Sequence, residues 1–115
     1  MAIRTKRVYE PPAPGDGYRV LVDRVWPRGV SREKAALDEW VRELAPSAEL
    51  RKWFGHKPER FEVFRGRYRE ELRARKSEVD ALRARARKGT VTLLFGARDP
   101  EHNNAVVLAE MLRRK

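Results

Sequence analysis

Two short apolar runs constrain this chain more than any other feature. YRVLVD at 18–23 and VTLLF at 91–95 are β-rich and almost uninterrupted by polar residues. Runs of this kind read as strands buried on both faces, the habit of parallel sheets covered by helices. The stretch between them, 31–88, is long enough for a helical crossover, so the two strands are expected to be parallel. A third strand is read at 3–8, where apolar and basic residues alternate and one face would be wet. The breaker cluster PPAPGDG at 11–17 follows it as a loop. About nine residues then separate strands one and two, short for a helical connection.

The intervening stretch reads as four helices. Ser31 is a candidate N-cap for the first, with Leu37, Trp40, Val41 and Leu44 at i, i+3, i+4 and i+7 and Pro46 as its stop. Ser47 can cap a short second helix carrying Leu50, Trp53 and Phe54 and closed by Gly55. Pro58 suits the first turn of a third, with Phe61, Phe64, Tyr68 and Leu72 as its buried stripe. Val79, Leu82 and Ala86 mark a fourth, ended by Gly89. After strand 91–95, Asp99-Pro100 reads as N-cap and first position of a last helix carrying Val106, Val107, Ala109 and Leu112. These elements predict an α/β, Rossmann-like single domain over 1–115, with a small, mostly parallel sheet of three to four strands flanked by four to five helices.

Composition narrows the function classes. The chain has 115 residues, 38% of them charged and 41% hydrophobic, with no cysteine and only two histidines. Disulfides, thiolate metal sites and cysteine nucleophiles are therefore excluded. No apolar run approaches the roughly 18 residues of a membrane span, and MAIRTKRVY has no secretory h-region, so a cytoplasmic protein without membrane attachment is expected. The net charge of +10 favours anionic partners. Most of the basic residues are arginine, and much of that charge reads as a solvated surface.

Ligands of parallel sheets bind beyond the carboxyl ends of the strands. The loops leaving those ends are DRVWPRG at 23–29 and GARDPEHNN at 96–104. If the two strands are neighbours, Asp23, Arg24, Arg28, Arg98, His102 and Asn103 share one neighbourhood, with the last helix pointing its N-terminus into it. Unpaired N–H groups at such an end favour an anion, and guanidinium forks match phosphate geometry. No phosphate-loop glycine pattern is present, and no cofactor motif. Each residue also has a structural role open to it. Asp23 could pair with Arg24, Trp26 could pack as core or lid, Asp99 could be an N-cap, and His56 could tie down a loop. Imidazole is the one side chain that ordinarily titrates near neutrality, at about 6.5, so His56 and His102 are the acid–base candidates, with Asp23 or Glu71 to orient them. Phosphoryl or nucleotidyl hydrolysis is the reaction class such a set would serve. A metal set of Asp23, His56, Asp99 and His102 is a further alternative.

Nucleic-acid binding through bulk charge competes with the pocket. Arg65, Arg69 and Arg73 line one helical strip, but Glu62, Glu70 and Glu71 lie within pairing distance along the same helix. RARARK at 83–88 is less compensated and is the stronger candidate for a phosphate-binding face.

The segment around DRVWPRG is recognisable. KRVYEP at 6–11, DGYRVLVDRVWPRG at 16–29, LDEW at 37–40, LAPSAELRKWFGHKPERFEVFRGRYREEL at 44–72 and TLLFGARDPEHNNAVVL at 92–108 resemble the YeaO-like branch of the domain-of-unknown-function 488 family. The resemblance runs nearly end to end. It implies a compact Rossmann-like fold, with Asp23, Arg24, Trp26, Pro27, Arg28, Gly29, His56, Tyr68, Glu71 and Asn103 at the branch's motif positions. Many broader members carry a Cys-His-Arg triplet after the last strand, where this chain has His102-Asn103-Asn104. The resemblance therefore transfers no cysteine-based mechanism, and Arg98 is the residue that could replace the missing positive charge.

Overall fold

A computed structural model describes residues 2–114. Its frame is a four-stranded, all-parallel sheet in the order β1-β4-β2-β3, formed by β1 (Ile3–Arg7), β2 (Tyr18–Leu21), β3 (Glu39–Trp40) and β4 (Val91–Phe95). β4 sits between the two N-terminal strands, with Ile3 and Tyr18 both opposite Val91. The helices are α1 (Arg32–Ala35), α2 (Ala48–Phe54), α3 (Phe61–Arg73), α4 (Lys76–Lys88) and α5 (Asn104–Arg113).

The period of two along the strands sorts their side chains onto two unequal faces. Val20, Val22, Val91, Leu93 and Phe95 join the buried residues of α2–α5 in the main core. Leu21 and Leu94 face the other way, into a smaller cluster with Val8 and Ala35, bordered by Trp26, Val30, Leu37 and Trp40. Both faces are covered, as uninterrupted apolar strands require, but one is covered by four helices and the other mostly by loops.

The short link from β1 to β2 crosses β4 with only a 3-10 turn, Pro14–Asp16, and no α-helix. An extended chain advances roughly 3.3 Å per residue, so residues 8–17 can run back along a five-residue strand with length to spare. The link is tied down beneath the sheet. The Thr92 hydroxyl on β4 donates to the Asp16 carbonyl at 2.7 Å, and the Asp16 carboxylate takes bonds from Lys6 Nζ, Ala13 N and Arg19 Nη1. Arg19, itself buried, also donates to the Ala35 carbonyl at 2.7 Å. Gly17 is required at the crossing: its φ is +63°, and a Cβ there would lie 2.3 Å from the Thr90 carbonyl oxygen.

The first predicted helix is mostly not helical. Ser31 does cap α1, accepting from Lys34 N, but the helix closes at Ala36 with φ 49°. The stripe Leu37, Trp40, Val41, Leu44 then splits between opposite faces of the sheet: Leu37 and Trp40 border the minor cluster, while Val41 and Leu44 enter the main core. The physical reason is the outer edge of β2. Its buried backbone needs partners, and Asp38 and Val41 donate to the Arg19 and Leu21 carbonyls while Asp38 Oδ2 accepts from Arg19 N. Pairing along this edge outweighs the helical period. α2 forms as expected, with Ser47 Oγ accepting from Leu50 N and Gly55 left-handed at its end. Pro58 opens a 3-10 turn, Pro58–Arg60, that leads into α3.

The last helix begins later than Asp99-Pro100 suggests. Its N-cap is Asn103, whose side-chain oxygen accepts from Val106 N. Asp99 instead caps the preceding turn, accepting from Glu101 N and His102 N. Asp and Asn cap equally well, and the choice is made by Asn104, which is tied to the end of β2.

Candidate functional site

The two loops at the carboxyl ends of β2 and β4 meet. Asp23 Oδ2 accepts from Gly96 N at 2.8 Å. Asn104, first residue of α5, donates its amide to the Val22 carbonyl at 2.9 Å and to Asp23 Oδ1 at 3.2 Å. The contact is tight at Gly96, where a Cβ would stand 3.2 Å from Asp23 Oδ2 and would push that carboxylate aside by a few tenths of an ångström.

Above this junction lies a cavity of about 210 Å³. Asp23, Arg24, Val25, Gly96, Ala97, Asn103 and Asn104 form the strand-end side. Pro46, Arg51, Phe54, His56 and Phe64 form the wall opposite, from α2, its flanking loops and α3. The size is below the roughly 300–1,000 Å³ typical of sites for drug-sized ligands. Phe54 and Phe64 stack with ring centroids 4.4 Å apart and give this wall its apolar surface.

Its polar groups carry both signs. Burial pushes the Asp23 carboxyl up from its ordinary value; the Gly96 N–H, the Asn104 amide and the positive charges of Arg51 and His56 pull it back without cancelling the rise. Arg24 does not pair with Asp23. It reaches across to the Pro46 and Ala45 carbonyls at 3.2 and 3.4 Å, which holds its guanidinium at the cavity edge. Among the described residues, neither Arg24, Arg51 nor His56 forms an ion pair. His56 has φ 57°, next to left-handed Gly55. A histidine held there is locally strained, and such residues gather at ligand sites.

Of the residues expected from the sequence, Asp23, Arg24, His56 and Asn103 line the cavity. The others lie elsewhere. Arg28 and Arg98 are exposed and outside its lining. Trp26 packs edge-on to Trp40 at 5.3 Å and donates its indole N–H to the Val30 carbonyl. Tyr68 is fully buried, with its hydroxyl on the Leu44 carbonyl, and burial together with the negative charges of Asp23 and Glu71 drives its phenol far above the usual range. Glu71 accepts from Ser47 N and Ser47 Oγ at 2.8 and 2.6 Å, so it braces the cap of α2. His102 pairs with Asp99 Oδ2 at 2.8 Å and meets the Phe61 ring edge-on. Among the described residues no three His, Asp or Glu side chains converge, so the set Asp23, His56, Asp99 and His102 does not assemble around one metal position.

Arg51 and Asn104 are polar lining residues that sequence reasoning missed. The signal for Arg51 was its i, i+3 spacing to Phe54, which puts both on one side of a short helix.

The basic helices are more committed than their sequence suggests. Arg65 and Arg69 pair with Glu110 of α5 at 3.0 Å, and Arg73 pairs with Glu70. On α4, Arg83 binds Asp80 and the Met111 and Leu112 carbonyls, while Arg85 lies 4.1 Å over the Tyr18 ring. Among the described residues, no helix is long and apolar enough to cross a membrane.

The model of the family described as "Inactive DUF488-N3 subclade" matches residues 2–115. The chain belongs to this family. Among full-length relatives of this DUF488 chain is "Uncharacterized protein YeaO" of Escherichia coli K12, 46% identical over 113 residues and 98% of each protein. "Uncharacterized protein Rv3073c" of Mycobacterium tuberculosis H37Rv is 42% identical over 110 residues, 96% of this chain and 92% of the relative. "Uncharacterized protein Mb3100c" of Mycobacterium bovis matches to the same extent. No solved structure matches the chain.

Proposed function

We propose that the cavity at the ends of β2 and β4 binds a small anionic molecule, such as a phosphate-bearing metabolite, and holds it without turnover. One observation carries this reading: Arg24, Arg51 and His56 border a single small cavity and, among the described residues, none of them has a carboxylate partner. Guanidinium forks with donors left open match the geometry and charge of phosphate oxygens. The N-cap of α5 borders the same space and adds a favourable dipole.

Hydrolysis has less support. His102 is held by Asp99 outside the cavity lining, no thiol is present, and the subclade is described as inactive. Nucleic-acid binding through 83–88 has one cation fewer than the sequence suggests, since Arg83 is held by Asp80 and the end of α5.

The test is a thermal-shift titration with inorganic phosphate, pyrophosphate and small phosphate esters. A ligand at 100 times its dissociation constant should stabilise the fold by about 2.7 kcal/mol. Arg24→Ala and Arg51→Ala should each abolish the shift, and Arg87→Ala should leave it intact. No release of phosphate from p-nitrophenyl phosphate is expected. A shift that survives both cavity substitutions would refute the assignment.

A further inference from the structure

Resting on that anion-site reading, we propose that Asp23 is a specificity residue that selects a hydroxylated phosphate ester, with a short carbon stem, over a bare phosphate. The argument begins with the two signs of charge in one cavity. Asp23 lines it together with Arg24, Arg51 and His56, yet among the described residues its carboxylate contacts no cation. The carboxylate accepts two hydrogen bonds, from Gly96 N and Asn104 Nδ2. An ionised carboxylate has about four lone-pair sites, so acceptor capacity remains. The two bonds it does make anchor one oxygen to β4 and the other to α5, which fixes its position before any ligand arrives.

A bare oxyanion drawn in by the guanidinium groups would meet a like charge in a space of about 210 Å³. A molecule that turns its anionic end to Arg24 and Arg51 and a hydroxyl donor to Asp23 meets no such conflict. The lining also offers carbon surface, from Val25, Pro46, Phe54 and Phe64. That surface suits the methylene stem of a small polyol phosphate. Asp23 therefore reads the donor end, and the arginines read the charge.

The experiment compares methyl phosphate with sn-glycerol 3-phosphate by isothermal titration calorimetry. Both are phosphate monoesters, and only the second carries hydroxyl donors. Glycerol phosphate should bind the wild-type protein about tenfold more tightly, the size of one hydrogen bond to a charged acceptor. In Asp23→Asn the gap should close to within about twofold, with methyl phosphate binding more tightly than to wild type as the like charge is removed. The wild-type comparison stands by itself if that variant does not fold. Equal affinities for the two esters in wild type, or a gap that persists in Asp23→Asn, would overturn the role of Asp23 while leaving the anion site standing. Failure of both esters to bind, or binding unchanged in Arg24→Ala and Arg51→Ala, would remove the site as well.

Discussion

At the scale of single residues, buried Asp16 and half-buried Asp23 respond to pH with opposite signs. Burial would raise the Asp16 carboxyl, but the Ala13 N–H, Lys6 and Arg19 outweigh it and hold it below its ordinary 3.8. Its contribution is thus present above that value and is lost as pH falls through the lowered one. Asp23 is raised, so its contribution is largest at or below 3.8 and declines as pH climbs through the window above. Thermal melts between pH 2.5 and 6 should therefore show a steep acid-side loss in wild type that Asp16→Asn flattens. Asp23→Asn should improve relative to wild type as pH rises. Asp16→Asn also leaves buried Arg19 without its carboxylate, and denaturant unfolding at pH 7 should register a loss of about 3 kcal/mol. Gly17→Ala should cost about 1–3 kcal/mol by the same measurement, because both its positive φ and the Thr90 carbonyl oppose a side chain. A Gly17→Ala protein as stable as wild type would contradict the crossing geometry.

Elements show where pattern reading holds and where it yields. The buried strands, α2–α4 and the start of α1 were legible because local chemistry and tertiary demand agree: Ser47 and Gly55 bound α2 in both sequence and structure. The stripe from Leu37 to Leu44 was misleading because helical spacing says nothing about an unpaired sheet edge nearby. Arg51 was overlooked for a similar reason, since the rotation of a seven-residue helix is set by packing against α3 rather than by its own sequence. Glu71, by contrast, was visible as a residue but not as a brace, because its partner Ser47 lies 24 positions away. Ser47→Ala removes the α2 cap and the hydroxyl bond to Glu71, leaving Glu71 only the backbone N–H of residue 47. Stability should fall by about 1–2 kcal/mol in chemical unfolding, and affinity for glycerol phosphate should weaken as Arg51 and His56 lose their positioning. Unchanged affinity would show that α2 does not orient the site.

For the whole molecule, the sequence indicated a parallel α/β frame and the meeting of two distant loops, and both are present. It could not say which arginines line the cavity and which lie outside it. Arg28 and Arg98 sit in the right loops yet outside the lining, while Arg51 arrives from the opposite wall. The basic residues as a whole are sorted in the same manner: Arg65, Arg69, Arg73 and Arg83 are held in ion pairs with Glu62, Glu110, Glu70 and Asp80, which leaves the net charge of +10 to the unpaired ones. Affinity for phosphate esters should accordingly fall in Arg24→Ala and Arg51→Ala and stay within about twofold of wild type in Arg28→Ala and Arg98→Ala, by calorimetry at fixed ionic strength. The most direct measurement is a crystal structure of the protein grown with tungstate, a heavy phosphate mimic located by its anomalous signal. The strongest peak is predicted between the Arg24 and Arg51 guanidinium groups, against the end of β2. A peak instead on the outer face of α4, or beside Arg28 or Arg98 with the cavity empty, would contradict the account.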